Sequence, residues 1–300
     1  MPVVLPNLDP RITWSIRVLD ATTAPDPDVL AEHTPEQVCR TASVGKLFLL
    51  VEVANRLVDG SLDATDRIEI PDELRVEDSG LLYRMLDQHL TVADAALLVG
   101  AVSDNLATNA LAHLVGLDAI HAVAERLGYH DTLMLDYIRD ERTPDLPWTT
   151  SYGCARELAD LALRLGEGPG DTPGADLLPE EVRSKVLSWL AADTDTSMLA
   201  DSFLLDPLAH VAPEYQGIVL RHKTGSVSTA RIEVGHAAGP AGRVAYAMAA
   251  NWSEADGDLR AVAIDAMRAT GERIRAHITG VARDGSPLEG RTAEVTGERR

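Results

Sequence analysis

Ser43 and Lys46, three residues apart in Thr41-Ala42-Ser43-Val44-Gly45-Lys46-Leu47-Phe48-Leu49-Leu50, are the pair in this chain best suited to nucleophilic chemistry. If a helix starts here, positions i and i+3 stack on one side and bring the hydroxyl to the amine. The apolar run from Leu47 to Val53, with Gly60 beyond it, predicts a buried helix with a glycine stop. Ser43 is then expected on the first turn, where unpaired N–H groups and the helix dipole favour developing negative charge. Such a serine can attack a carbonyl with Lys46 as proton acceptor. A serine that only caps its helix has the same local pattern, so the pair alone does not decide between the two readings.

Lysine usage favours the chemical reading. Of 27 basic residues only three are lysine, namely Lys46, Lys185 and Lys223. Arginine stays charged, whereas burial and cationic neighbours can neutralise a lysine, so acid–base work requires the latter. Lys185 falls in a predicted helix, Pro179 to Leu190, as a solvated charge. Lys223 belongs to a second motif, His222-Lys223-Thr224-Gly225-Ser226, and a third, Ser103-Asp104-Asn105, lies between the two. His222 reads as structural, and Cys39 and Cys154 as buried small residues.

The elements that must position these residues follow from the hydrophobic pattern. Ile12 to Leu19 alternates like a strand, and a Pro/Asp-rich turn, 25–28, leads towards Ser43. Thr91-Val92-Ala93-Asp94 resembles a capping box opening a helix to Val102, and Leu106 to Val115 forms the next helix. Asp118 is expected to cap a helix to Leu127, and Thr149-Thr150-Ser151 one from Tyr152 to Leu165. His130 to Trp148 has no clean period and reads as a long functional loop. Three strands, Gly217 to Ser226, Ala230 to Ala237 and Arg243 to Asn251, precede an amphipathic helix, Leu259 to Ile278. A Gly/Pro segment from Gly166 to Gly174 and the polar tail 279–300 read as flexible and disordered. The expected class is α+β: one antiparallel sheet flanked by helices, an all-helical lobe, and a cleft between them. Residues 1–42 and 200–278 form the discontinuous α/β lobe in this reading, and 43–199 the helical lobe.

Composition narrows the partners. A net charge of −20 argues against nucleic acid and anionic membranes. No phosphate loop, HExxH or CxxC cluster is present, so no metal or other cofactor is expected. Two cysteines make no disulfide framework, and no secretory signal is visible after Met1. If Met1 is the native start, a cytoplasmic protein is expected; a removed leader would make it secreted.

Together, the three motifs in this order and spacing resemble the serine β-lactamase and penicillin-binding protein superfamily, and most closely the class A β-lactamases. Leu90-Thr91-Val92, the run Ser103 to Asn109, and the sixty residues from Ser43 to Ser103 are similar to that family too. The resemblance implies that Ser43 forms an acyl-enzyme, with Lys46 kept partly neutral by burial and Lys223. It implies that the backbone N–H groups of Ser43 and Ser226 form an oxyanion hole, and that Ser103 relays a proton to the leaving nitrogen. Asn105 would bind the substrate side-chain amide, Thr224, Gly225 and Ser226 would offer a strand edge to its carboxylate, and Arg231 would stand behind that carboxylate. A small-molecule β-lactam or a related amide or ester is the implied substrate.

One departure stands out. Class A enzymes carry a loop glutamate, followed four residues later by asparagine, that activates the deacylating water. If Leu135-Asp136 aligns with the start of that loop, Arg139 falls at the glutamate position, and a two-residue slip would put Glu141 there. Asp140 is adjacent, but no asparagine follows. Slow deacylation, as in a penicillin-binding protein, is one outcome; an esterase, amidase or peptidase using another water path is a second. A non-catalytic binding module that retains the cleft is a third.

Overall fold

A computed structural model describes residues 3–23, 26–166, 177–206, 217–282 and 285–286. The expected Gly/Pro segment and most of the expected tail lie outside these residues. The main sheet has five antiparallel strands in the order β2-β1-β8-β7-β6. They are β1 (Thr13–Asp20), β2 (Val29–His33), β6 (Val219–Val227), β7 (Ala230–Gly239) and β8 (Gly242–Asn251). The first strand therefore joins the last ones, as the sequence implies. β2 has no counterpart among the expected strands, because its five half-exposed residues carry little hydrophobic alternation.

Both faces of the sheet are covered. Along β8, Ala245, Ala247 and Ala249 face one core, while Tyr246, Met248 and Ala250 face the other. That period of two, apolar on both sides, explains the nearly continuous run Ala245 to Ala250. On the alanine side the small side chains admit helix α5 (Ala155–Gly166), which lies against β1, β7 and β8. On the other side α7 (Arg260–Thr279) and the turn Leu199–Phe203 pack on Trp14, Ile16, Val18 and Tyr246.

The remaining helices surround α1 (Lys46–Asp59), which ends at Gly60 in the left-handed conformation (φ 77°). Leu47 to Val51 are all 2% exposed or less. Glu52 interrupts this run but is satisfied by Arg56 at 2.8 Å and Arg126 at 3.5 Å. Helices α2 (Val92–Val102), α3 (Asn105–Val115) and α4 (Leu117–Leu127) pack around α1 with α6 (Glu180–Leu190). Thr91 caps α2 by accepting from Asp94 N and donating to Asp94 Oδ2. Asp118 is not the cap of α4: Gly116 (φ 84°) turns the chain directly from α3, which places Asp118 inside the first turn.

A small second sheet, β3-β5-β4, lies beside α1. It consists of β3 (Cys39–Arg40), β4 (Leu133–Met134) and β5 (Ser151–Gly153). Ser151 thus belongs to a strand and not to a helix cap, because pairing with Cys39-Arg40 and Leu133-Met134 overrides the local signal of three hydroxyls before an amphipathic run. Among the described residues no single helix is long and apolar enough to cross a membrane.

Asp104 ties this frame together. Its fully buried carboxylate accepts from Ala107 N (2.9 Å), capping α3, and from Leu81 N (2.7 Å) and Leu82 N (2.8 Å), pinning the loop before α2. Gly80 (φ 106°) makes room, since a Cβ there would lie 2.3 Å from Asp104 Oδ2. Asp104→Ala removes a cap and orphans the buried Leu82 N–H and the part-buried Leu81 N–H, so it should cost about 3 kcal/mol. Urea unfolding with an unchanged slope should read this loss; a change below about 1 kcal/mol would mean that water replaces the carboxylate at no net cost.

Candidate active site

Ser43 sits one step earlier than the sequence suggests. It lies in a 3₁₀ turn, Ala42–Gly45, and α1 begins only at Lys46. In a 3₁₀ turn residues i and i+3 eclipse, so the two side chains still share a side. Ala42 before it adopts a left-handed conformation (φ 48°), which a side chain tolerates only where its surroundings enforce it. Ser151 supplies much of that enforcement. Its Oγ donates to Ala42 O (2.5 Å) and accepts from Thr41 Oγ1 (2.9 Å), while its carbonyl accepts from Thr41 N (3.2 Å).

Two glycines let the turn fit between its neighbours. A Cβ at Gly45 would lie 2.5 Å from Ser151 Cβ, on the β5 side. A Cβ at Gly225 would lie 2.3 Å from Thr41 O and 3.1 Å from Ser43 N, on the β6 side. β6 is the edge strand of the main sheet, and Gly225 is the position that lets it approach the Ser43 backbone. The turn is thus wedged between two strands and has little freedom to shift.

Lys46 is 2% exposed. Its Nζ lies 2.6 Å from Ser103 O, 2.8 Å from Asn105 Oδ1 and 3.2 Å from Ser103 Oγ. Burial, and secondarily the charge of Lys223, holds its pKa well below the ordinary lysine value. The amine donates to all three oxygens, the carbonyl and hydroxyl of Ser103 and the side-chain oxygen of Asn105. Ser103, at the C-terminus of α2, is itself left-handed (φ 56°), which turns its side chain and its carbonyl towards the same amine.

Lys223 is fully buried on β6, its Nζ 3.1 Å from Thr224 O and 4.0 Å from Asp193 Oδ2. Burial raises the pKa of Asp193 above the usual carboxylate range in spite of Lys223. Burial acts the same way on Asp195, but hydrogen bonds from Ser197 and Thr224 outweigh it and keep that carboxyl low. His222 points into a separate buried pocket, with Nδ1 3.3 Å from Glu233 Oε1, which also accepts from Tyr246 OH at 2.7 Å. That placement is structural.

The cleft in front of this group has a volume of about 860 Å³. Ser43, Ser103, Asn105, Thr224 and Ser226 all line it, whereas Lys46 and Lys223 lie buried behind. Asn105 lines the cleft and also serves the lysine: its side-chain oxygen accepts from Lys46 Nζ, and its amide donates towards Glu77 O at 3.4 Å. Arg231 differs from expectation. It does not line the cleft, and its Nη1 donates to Val227 O and Ala230 O, both at 2.6 Å, buttressing the β6–β7 turn.

The long loop has an arginine core. Asp136 bridges Arg139 (2.9 Å) and Arg142 (2.9 Å), and Arg142 also reaches Tyr137 O, Pro147 O and Thr150 Oγ1. Asn109 on α3 fixes the loop from beneath, donating to Leu74 O and Ile138 O and accepting from Ile138 N. As a result Arg139 and Asp140 line the cleft, while Glu141 is exposed outside it. Asn109 and Asp193 carry no periodic signal because each acts through contacts distant in the chain, and Asp136 lies in a loop that has no period at all. Away from the cleft, ligand atoms of Glu36, Asp131 and Cys154 lie within 4.8 Å of one another, and both carboxylates already share Arg156 (2.5 and 3.7 Å) as an ion-pair partner.

The fold that carries this cleft has known counterparts. A β-lactamase from Sphaerobacter thermophilus is similar at 25% identity, with 88% of this chain and 91% of that one covered and a TM-score of 0.71. A mutant of PBP-A in an acyl-enzyme complex with penicillin G is similar at 20% identity, covering 89% and 90% with a TM-score of 0.68. So is a β-lactamase from Xanthomonas campestris, at 20% identity, 89% and 92% coverage, and a TM-score of 0.68. No curated protein sequence matches the chain. The family model described as the Beta-lactamase enzyme family matches residues 7–278. Sequence and fold agree, and the chain belongs to the β-lactamase enzyme family of hydrolases.

Proposed function

We propose that the protein is a serine hydrolase that opens β-lactam amides through an acyl-enzyme on Ser43, in the manner of class A enzymes. The observation that carries this reading is the buried Lys46 amine, held between Ser103 and Asn105 one turn from Ser43. In the proposed step Lys46 Nζ takes the proton from Ser43 Oγ as the oxygen attacks the lactam carbonyl carbon. The carbonyl oxygen becomes an oxyanion facing the N–H groups of Ser43 and Ser226, each worth about 3 kcal/mol in such a site. The C–N bond then breaks, and the nitrogen receives the proton from Lys46 by way of the Ser103 hydroxyl. Thr224 and Ser226, on the edge strand β6 and lining the cleft, take the substrate carboxylate.

Release of the acyl group follows a different logic. Hydrolysis requires a base for water, and the loop offers Arg139, held by Asp136, where such a base is expected. This favours slow deacylation, closer to a penicillin-binding protein than to a fast β-lactamase. Asp140 is the loop carboxylate in the cleft and the base for the residual turnover.

Incubation with a penicillin should give a stoichiometric adduct by intact mass, a burst with a chromogenic cephalosporin, and a much slower steady state. Ser43→Ala should give no adduct; an adduct surviving in that variant would overturn the mechanism, and turnover as fast as the burst would overturn slow release. Because the active form of Lys46 is neutral and its pKa is lowered, acylation should rise with pH through that lowered value. Lys223→Ala removes a neighbouring positive charge, so the Lys46 pKa rises and the acid limb should move to higher pH. Lys46→Arg remains protonated and should slow acylation by about 10²- to 10⁴-fold, measured by stopped-flow.

A further inference from the structure

The cleft has one feature that acylation does not use. Trp148 is 62% exposed on the cleft wall, whereas Trp14, Trp189 and Trp252 are 3%, 9% and 5% exposed. Its ring stacks at 6.1 Å and 24° on Tyr152 of β5, so it is not a loose side chain. Only one face is covered by that contact, and leaving the rest of a held indole in water forfeits the burial that aromatic side chains ordinarily gain. Its place in the cleft is also defined. The Ser43 turn packs on β6 on one side and on β5 on the other. Trp148, Thr149 and Thr150 lead directly into β5, which places Trp148 on the β5 side of the Ser43 turn.

We infer that Trp148, backed by Tyr152, is the platform for an aromatic or other flat apolar group on the acyl side of the substrate. This rests on the proposed Ser43 acylation, with the substrate carboxylate on β6. A substrate anchored there by its carboxylate and bonded to Ser43 by its carbonyl directs its acyl substituent to the β5 side. Ile138 also lines the cleft, and the Thr149 and Thr150 side chains are engaged in keeping the loop in place. The preferred substrates are therefore acylated amides with an aryl or arylacetyl substituent, in preference to the same nucleus with a short aliphatic one.

The test compares a penicillin bearing a phenylacetyl side chain with the same nucleus bearing an acetyl side chain. In the wild type the acylation rate constant, kcat/KM in form, should favour the phenylacetyl compound by about tenfold over the acetyl one. In Trp148→Ala that ratio should fall towards one, and Trp148→Phe should restore most of it. A second readout needs no variant. Trp148 is the exposed one of the four tryptophans, so iodide should quench its fluorescence in the free protein, and acylation by the phenylacetyl compound should protect it while acylation by the acetyl compound does not. Equal ratios in wild type and Trp148→Ala, or equal quenching in both acyl-enzymes, would overturn the inference. Failure of both compounds to acylate Ser43 would instead overturn the proposed function on which it rests.

Discussion

The constraint on which the rest of the site depends is the burial of the Lys46 amine. An isolated ammonium in a dry interior is costly by several kcal/mol, so the group must either be neutralised or be matched by good acceptors. Here both conditions are approached at once. The carbonyl of Ser103 and the side chain of Asn105 satisfy the amine, and Lys223 makes its protonated form less favourable. The unusual backbone of Ser103, the cap at Asp104 and the glycine at position 80 can all be understood as what is required to bring those acceptors to one point.

The same reasoning separates the parts of the site that bind from the parts that react. Lys46 and Lys223 sit behind the cleft and set the electrostatics, while Ser43, Ser103, Thr224 and Ser226 present the groups that a ligand can meet. The loop between β4 and β5 is organised on another principle. Its arginines are bound to Asp136 and to carbonyls, which makes the loop a rigid wall and leaves little of it as a source of bases. Rigidity there and polarity at Lys46 are consistent with a site better arranged to capture an acyl group than to release it.

Much of this was legible in the chain. Strand and helix periods placed β1, β6 to β8 and most helices, and the three motifs with the scarcity of lysine pointed to Ser43, Lys46, Ser103 and Lys223. What escaped was what depends on contacts far apart in sequence. Thr149-Thr150-Ser151 looks locally like a helix cap, and becomes a strand only because Cys39-Arg40 lies beside it. Asn105 is read from its motif as a substrate ligand, and its oxygen also accepts from the neighbouring buried amine. Arg231 sits at the spacing of a carboxylate binder but donates to the carbonyls of Val227 and Ala230 at its own turn. In each case the residue type was readable and the competing partner was not.

The pairing of β1 with β8 has a consequence for when the site comes into being. Thr13 pairs with Asn251, so the sheet joins nearly the two ends of the chain. During synthesis the helices around α1 can collapse on local contacts, whereas β6 to β8 emerge after all of them and long-range pairing is slow. Until then the Ser43 turn lacks its β6 wall, and Lys46 lacks the neighbouring charge of Lys223. A nascent or truncated chain can therefore be largely helical and still be chemically inert, with reactivity arriving in one step as the sheet closes.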